Sequence, residues 1–555
     1  MTACHIPPRG FRGVYRADAS ARAVYSEAAG IGRIVPTAVA VPHDPDDVST
    51  IVRWASERSL SVVPRGSGTS MGGGAIGPGV VVDLSRMNSI AEVDPASRTV
   101  QVGPGALRGA VNDAAAKHGL RFPVDPSSGN YCTIGGMVST NAAGPRTLRF
   151  GATRAWVQSL DCVFDDGSRA VVERGTPLPR GVAAIDRFTS QARRELLAEG
   201  SSTVHAGVCK ESSGYGIHAY AESGELVDLL VGSEGTLAVI VGVRLLLTGE
   251  AVATSAVLSA FNSLEDAVAA ATGARASGWG AVACELLDRT FLEFVASGNE
   301  HFAAAVLAGI PSGTEAVLLS EVEGDSADIV DEATRELEKT FCAAGATVTR
   351  LAMGAGDQHE LWELRHAASP ILSRLDPSLR SMQFVEDGAV PPPRLGEYVR
   401  GVRAALDARK MRGVIFGHAG DAHVHVNPLV NTSQAGWRDD VEGLLDDIVA
   451  LTARLGGTLA GEHGDGRLRT PLLDKVWPAE ALRLFALVKL AFDPRGVLNP
   501  GVKVPLAAQR PLGDIKYDPE LAALPADARA ALDLVASERA YSRDRLSLLE
   551  TTGVK

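Results

Sequence analysis

Two short segments carry the residues best suited to chemistry. The first is Gly417-His418-Ala419-Gly420-Asp421-Ala422-His423-Val424-His425-Val426-Asn427, and the second is Gly461-Glu462-His463-Gly464-Asp465-Gly466. Together they hold four of the chain's 12 histidines. In an extended segment successive side chains alternate, so His423, His425 and Asn427 share one face, and His418 can swing in from the turn before them. Two imidazoles and a carboxylate suit a divalent cation such as Zn²⁺ and leave coordination positions open for a substrate. Histidines beside a glycine turn can instead simply satisfy backbone groups. The Glu-His pair of the second segment favours the metal or catalytic reading.

Three glycine-rich tracts suggest a second kind of chemistry. Pro64-Arg65-Gly66-Ser67-Gly68-Thr69-Ser70-Met71-Gly72-Gly73-Gly74 lies between two strand-like runs. Residues without a Cβ let consecutive backbone N–H groups turn toward one anion, such as a diphosphate. No helix opens directly after it, so it is not the dinucleotide fingerprint. Asp125–Gly144 is too small and polar to make a core of its own, but it offers hydroxyls and backbone donors to a large flat ligand. Gly232-Ser233-Glu234-Gly235-Thr236-Leu237 leads into a long apolar strand. Three such tracts in one half of the chain favour a bound nucleotide.

The elements that must position these residues follow from local signals. Asp44-Pro45-Asp46-Asp47 predicts a helix to about Arg58: a cap, a proline in the first turn, and acids at the positive dipole end. Strands are expected at 61–63, 80–84, 99–102 and 237–247, a helix at 106–118, and a hairpin through Asp165-Asp166-Gly167. After residue 250 the rhythm becomes β-α-β-β-α-β, with strands near 257–261, 282–287, 316–322 and 346–351. Helices fall between them at 263–276 and 327–344, which is the ferredoxin-like order. Further helices are expected at about 357–374, 394–409, 435–455 and 479–491. The stretch from 506 to 555 has no clear core face and reads as a tail or linker.

Composition bounds the function. The 555 residues imply two to four domains, and 45% hydrophobic with 22% charged residues is globular usage. Lys+Arg is 54 against Asp+Glu 66, so the net charge of −12 supplies no general attraction for nucleic acid. Pro126–Pro145, uncharged but full of Gly, Ser, Thr and Asn, is unlike a lipid-facing helix, so a transmembrane protein is not expected. The N-terminus has no apolar run after its basic residues, hence no signal peptide. Cysteines at 4, 132, 162, 209, 284 and 342 form no CxxC pair and read as buried thiols of a reducing compartment. The expectation is a cytoplasmic protein, with peripheral membrane attachment and homodimer formation both left open.

The three glycine tracts resemble the flavin-binding half of the vanillyl-alcohol-oxidase-type flavoproteins, closest to the FAD-linked D-lactate, glycolate and D-2-hydroxyglutarate dehydrogenases. The likeness spans roughly residues 35–505. It implies an α+β protein, with a two-subdomain FAD-binding domain at 36–250 and a ferredoxin-like antiparallel-sheet cap at 251–470 that carries the metal site. Residues 1–35 are then an N-terminal extension, and 471–505 a segment returning to the FAD domain. The resemblance assigns FAD contacts to Arg65, Gly66, Ser67, Gly68, Thr69 and Gly72 at the diphosphate, and to Pro126, Ser127, Gly135, Gly136, Ser139, Asn141 and Gly144. Gly235 and Thr236 fall near the adenosine. The first loop has no His or Cys, so non-covalent FAD is expected, with Cys132 the nearest candidate for an exception.

The histidine segments resemble the family's GHxGDGNxHxN and EHG. On that likeness His418, His425 and Glu462 are metal ligands, Asn427 touches substrate, and His463 is the base. Ala422 stands where Gly is usual, implying an altered turn, and His423 where Asn is usual, adding a further candidate ligand. Leu361–Ser369 resembles the helix whose arginine, here Arg365, grips the substrate carboxylate by two parallel bonds. The lysine that serves a second carboxylate in the 2-hydroxyglutarate enzymes is absent from Ser381–Val390, which instead has Glu386 and Asp387; Arg380 is the nearest substitute. FVEDGAVPPPRL also resembles a subgroup fused to an iron–sulfur half, and no cysteine follows residue 342 here. The expected activity is oxidation of a small 2-hydroxy acid, the D form, to the 2-oxo acid. The electron acceptor is unassigned, a separate iron–sulfur or electron-transfer protein being one candidate. The rivals are a flavoprotein subunit active only within a larger electron-transfer complex and an alkyl-ether-synthase-like flavoenzyme.

Overall fold

The computed structural model describes residues 6–276, 278, 280–298, 307, 309–366 and 378–552. Cys4 and Ser369, and the part of the expected 357–374 helix beyond His366, lie outside the described residues.

The amino-terminal half folds around two small sheets, as two α+β subdomains. In the first, Ala38–Val41, Val80–Asp83 and Val62–Arg65 run parallel, every residue but Pro64 buried, with Val14–Arg16 antiparallel at the edge. Burial on both faces explains their near-continuous valine content. The helix Pro45–Glu57 covers this sheet, and Asp44 caps it through Asp46 N and Asp47 N as expected. The second sheet is antiparallel, in the order Thr99–Val102, Val239–Leu246, Val157–Val163, Arg169–Glu173.

The cap sheet begins with the expected ferredoxin-like order. Its strands are Val348–Ala352, Ala253–Phe261, Ala316–Gly324 and Ala281–Asp288, all antiparallel, and the helices Leu264–Ala276 and Ala327–Ala343 pack on one face. The histidine-bearing hairpin Gly413–His418/His423–Val430 then extends that sheet beyond Ala281–Asp288. The helices Leu395–Ala408, Trp437–Arg454 and Ala479–Phe492 fall where the periodicity places them.

Both ends of the chain depart from the reading. The first 35 residues contribute the edge strand and a buried helix, Ala19–Val24. After the helix Ala479–Phe492 packs on Ala183–Gln191, Leu498 bridges in parallel to Val62 at the first sheet's edge. The stretch 506–555 does not behave as a loose tail. Its helices Ala526–Glu538 and Arg545–Thr552 bury Ala528, Ala531, Leu532, Val535, Leu548 and Leu549 in one cluster with Ala19–Val24 and the valines of the first sheet. The buried face of the first of them mixes Ala528 and Ala531 with Leu532 and Val535, so its contrast with the solvent face is low. Among the described residues no helix is long and apolar enough to cross a membrane. The described cysteines are free: Cys132, Cys162 and Cys284 are buried as expected, whereas Cys209 is half-buried and Cys342 exposed.

Candidate functional site

The glycine loop leaves the first sheet directly from Arg65 and packs onto the start of the helix Ile134–Thr140. A Cβ on Gly66 would lie 2.2 Å from Thr133 Oγ1, the atom that caps that helix through Gly136 N. Only glycine allows this approach. Among the described residues, none of the backbone N–H groups from Gly66 to Gly74 donates to a protein acceptor. The buried Ser70 Oγ and Arg65 Nε also lack partners. Buried donors are ordinarily paired, so this cluster has the chemistry of an anion cradle. The Arg65 guanidinium is turned inward, its Nη groups donating to the carbonyls of Tyr25, Glu27 and Ala75. It braces the loop and leaves the main chain to face the ligand.

A cavity of about 590 Å³ runs from this loop to the histidines. Every flavin contact expected from the sequence lines it except Gly72, Asn141, Gly144 and Thr236, which stand behind its wall. Gly72 O accepts from Leu468 N, and Asn141 Oδ1 from Arg154 N. Gly144 O accepts from Lys210 Nζ, and the Thr236 hydroxyl bonds Tyr215 and Ser233 O. These four hold the wall in place. Glu234 joins the two halves, its Oε1 accepting from Asp465 N at 2.8 Å and its carboxylate lying against Lys503.

At the far end, the histidine arrangement follows from strand register. Glu285 lies opposite His418, and Phe416 opposite His425. His418 Nδ1 lies 2.6 Å from Glu285 Oε1, and His425 Nδ1 donates to Glu386 O at 2.8 Å. His463 Nδ1 lies 3.2 Å from Glu386 Oε1. With each Nδ1 held by an acceptor, the Nε2 atoms converge on Glu462 Oε1, at 3.4 Å from His418, 3.4 Å from His425 and 3.5 Å from His463. Outer acceptors that fix the imidazole tautomer are what metal-ligating histidines require. His423 also belongs to the cluster, but its Nε2 is taken by Asp387 at 2.9 Å while its buried Nδ1 has no partner. The turn that precedes it is made with Ala422 in the left-handed region, φ 54°.

Charge is balanced tightly here. Burial opposes ionisation of Glu462, but Lys210 and His418 hold it well below the carboxylate range; Lys210 Nζ lies 3.1 Å from Glu462 Oε2. Burial lowers the His463 imidazole, yet Asp387, Glu386 and Glu462 outweigh it and carry it up to about 10. Glu386, buried against Arg469 and His463, is held at about 2. His423 is pushed down to about 3 by burial, only partly offset by Asp387. Arg365 lines the cavity, its Nε donating to Glu285 Oε2 at 2.7 Å and its guanidinium 4.9 Å from the Phe416 ring. Asn427 lines the same wall. Arg380 is exposed and lies outside the cavity lining, so it supplies no second carboxylate grip.

Residues 36–173 match the FAD binding domain family, and residues 251–502 match the family described as FAD linked oxidases, C-terminal domain. The D-lactate dehydrogenase of Archaeoglobus fulgidus is 31% identical over 467 residues, covering 83% of this chain and 90% of that protein. The chain belongs to the FAD-linked oxidases. It is an FAD-dependent oxidoreductase. The glycolate oxidase subunit GlcD of Bacillus subtilis is 29% identical over 86% of this chain and 92% of its own length. The D-2-hydroxyglutarate dehydrogenase of Pseudomonas putida is 30% identical, and this FAD-linked oxidase spans 50% of it. Among solved structures, 4-ethylphenol oxidase from Gulosibacter chungangensis (TM-score 0.64, 15% identity, 88% of this chain and 94% of that one) shares the fold. So does an alkyldihydroxyacetonephosphate synthase (TM-score 0.62, 16% identity, 88% and 82%).

Sequence reasoning missed Glu285, Lys210 and the cavity wall contributed by Ala536–Arg539 and Tyr541. Glu285 lies 133 residues before His418 and carries no local motif. Glu386 and Asp387, read only as obstacles to a second carboxylate, are the acceptors that orient His463 and His423.

Proposed function

We propose that this FAD-linked oxidase converts a small D-2-hydroxy acid to its 2-oxo acid. The observation that carries the reading is the convergence of His418, His425 and His463 Nε2 on Glu462 Oε1 within the cavity that also holds the glycine cradle. His418, His425 and Glu462 are the residues that would hold a divalent cation, zinc by its taste for nitrogen and carboxylate donors. Such a cation supplies Lewis-acid lowering of a hydroxyl pKa, and FAD supplies the two-electron acceptor. Arg365 and Asn427 orient the substrate carboxylate, which fixes the α-carbon and contributes several kcal/mol through positioning. His463 is held at Nδ1 by Glu386 and presents Nε2 to the cavity; with the Glu462 carboxylate drawn off the ring by a cation, its pKa falls, so that Nε2 can take the hydroxyl proton. Lys210 keeps Glu462 ionised.

FAD is held without a covalent bond on this reading. Burial pushes the Cys132 thiol up to about 11, so the one cysteine in the cavity wall stays protonated and a poor nucleophile. The cavity has no partner for a second carboxylate at Arg380, which favours a monocarboxylate. The relative named as a glycolate oxidase subunit favours a separate electron-transfer protein as acceptor. Dye-linked turnover with a panel of D- and L-2-hydroxy acids tests the proposal. Activity with one D-monocarboxylate, several-fold above D-2-hydroxyglutarate, is expected. Equal activity with L-acids, or none with any hydroxy acid, contradicts it.

A further inference from the structure

The carboxyl-terminal helices lie beyond residue 502, outside both matched families, yet their junction reaches the cofactor cavity. Ala536–Arg539 and Tyr541 form part of its lining, together with the glycine loop. Arg539 caps the helix Ala526–Glu538 in the left-handed conformation. Its guanidinium lies 5.2 Å from the Tyr131 ring, another cavity residue, and makes no ion pair with a carboxylate among the described residues. At the start of the next helix, Arg545 is 4% exposed; its Nη2 donates to Ser67 O inside the glycine loop, and its Nη1 is buried without a partner. Arg65 is buried beside it and also keeps an unpaired Nε. Burying one arginine against another costs free energy, and Asp83, whose charge favours both guanidiniums, bonds neither of them directly among the described residues. Nearby Asp83 is already engaged by Tyr25 Oη and Ser85 N, and Asp544 by Arg86.

We propose that the segment 526–552 is a phosphate-recognising wall of the FAD site, in which Arg539 pairs directly with the cofactor's diphosphate and Arg545 holds the glycine loop in its receptive shape from behind. A guanidinium offers phosphate oxygens parallel donors and is the side chain best matched to them. Cofactor retention then depends on docking of the carboxyl-terminal helices. The cluster with Ala19–Val24 couples FAD binding to the packing of both chain ends. The inference requires FAD but not the hydroxy-acid chemistry, so its test stands apart from turnover.

The test compares FAD and riboflavin binding to deflavinated protein by flavin fluorescence quenching, for the native chain, Arg539→Ala and Arg539→Lys. Riboflavin lacks the phosphates. Arg539→Ala is expected to weaken FAD about 10–100-fold, the size of a charge-assisted bond, while riboflavin changes less than about two-fold. Arg539→Lys should recover part of the loss. Unchanged FAD affinity, or equal loss for both ligands, overturns the proposal. A second measurement needs no variant: trypsin cleavage after Arg539 and Arg543 in the native chain. ADP and FAD should slow it at least about ten-fold and riboflavin should not; protection by riboflavin alone, or by none of the three, also overturns it.

Discussion

Replacing Glu285 by glutamine keeps the volume of a fully buried side chain and removes only its charge. The native carboxylate accepts twice, from the His418 Nδ1 side at 2.6 Å and from Arg365 Nε at 2.7 Å. It stays ionised despite burial because His418 and Arg365 flank it, well below the usual carboxylate range. An amide cannot do both jobs. If its oxygen serves Arg365, its N–H₂ meets His418 Nδ1, which must then accept, so the ring proton moves to Nε2 and the lone pair aimed at Glu462 is lost. If its oxygen serves His418, its N–H₂ opposes a guanidinium. Either way a buried cation loses its counter-charge, a change worth about 3–5 kcal/mol of stability. Loss of the acceptor behind a metal-ligating imidazole typically weakens the metal about 10–100-fold. Urea denaturation and chelator competition for zinc, run on the native chain and Glu285→Gln, read both effects. The FAD absorbance band should survive, since the glycine loop lies at the other end of the cavity. A folded variant with native metal affinity would refute the reasoning.

Three further outcomes follow from the same geometry. His463→Asn should lower turnover about 10²–10⁴-fold, the usual range for a proton-transfer residue, while leaving the flavin spectrum intact; stopped-flow flavin reduction checks it. Gly66→Ala places a methyl group 2.2 Å from Thr133 Oγ1 and should yield protein depleted of FAD, scored by the ratio of absorbance at 450 nm to 280 nm. Asp288 is buried and its carboxyl is pushed up to about 7 by desolvation, against 3.8 in the open chain. A raised folded pKa means that its favourable contribution is full below about pH 4 and disappears as pH rises through 7. Asp288→Asn, which keeps an acceptor for Phe291 N, should therefore stabilise the protein at pH 8 relative to pH 5. Between these two pH values the gain is about 3 kcal/mol, read from thermal unfolding at each.

What the sequence revealed of the site reflects how local its signals are. His418, His425 and Asn427 sit within ten residues: the alternation of an extended strand puts His425 and Asn427 on one face, and the glycine turn brings in His418 from the strand before it. The glycine loop announces itself because close approach to Thr133 and free N–H groups both demand missing side chains. Glu285 and Lys210 reach the same cluster only through pairing of strands and loops distant in sequence, and a lone Glu or Lys gives no pattern. The ferredoxin-like order was legible from period-two runs and amphipathic helices, yet its extension by the histidine hairpin, which brings Glu285 to His418, is a property of the sheet. The carboxyl-terminal helices were misread because Ala528, Ala531 and Val535 mark their buried face too faintly. Their spacing of three and four, after Pro525, is the signal that was available.

The central claim, that one cavity joins a flavin to a metal-and-histidine centre acting on a 2-hydroxy acid, is tested most directly by anaerobic mixing of the holoenzyme with D- and L-2-hydroxy acids while absorbance near 450 nm is followed. The measurement is repeated after chelation and after zinc is restored. The account predicts rapid bleaching by a D-monocarboxylate, lost on chelation with FAD still bound, and recovered with the metal. Bleaching that chelation leaves unchanged, or its absence with every acid in the metal-loaded enzyme, would contradict it.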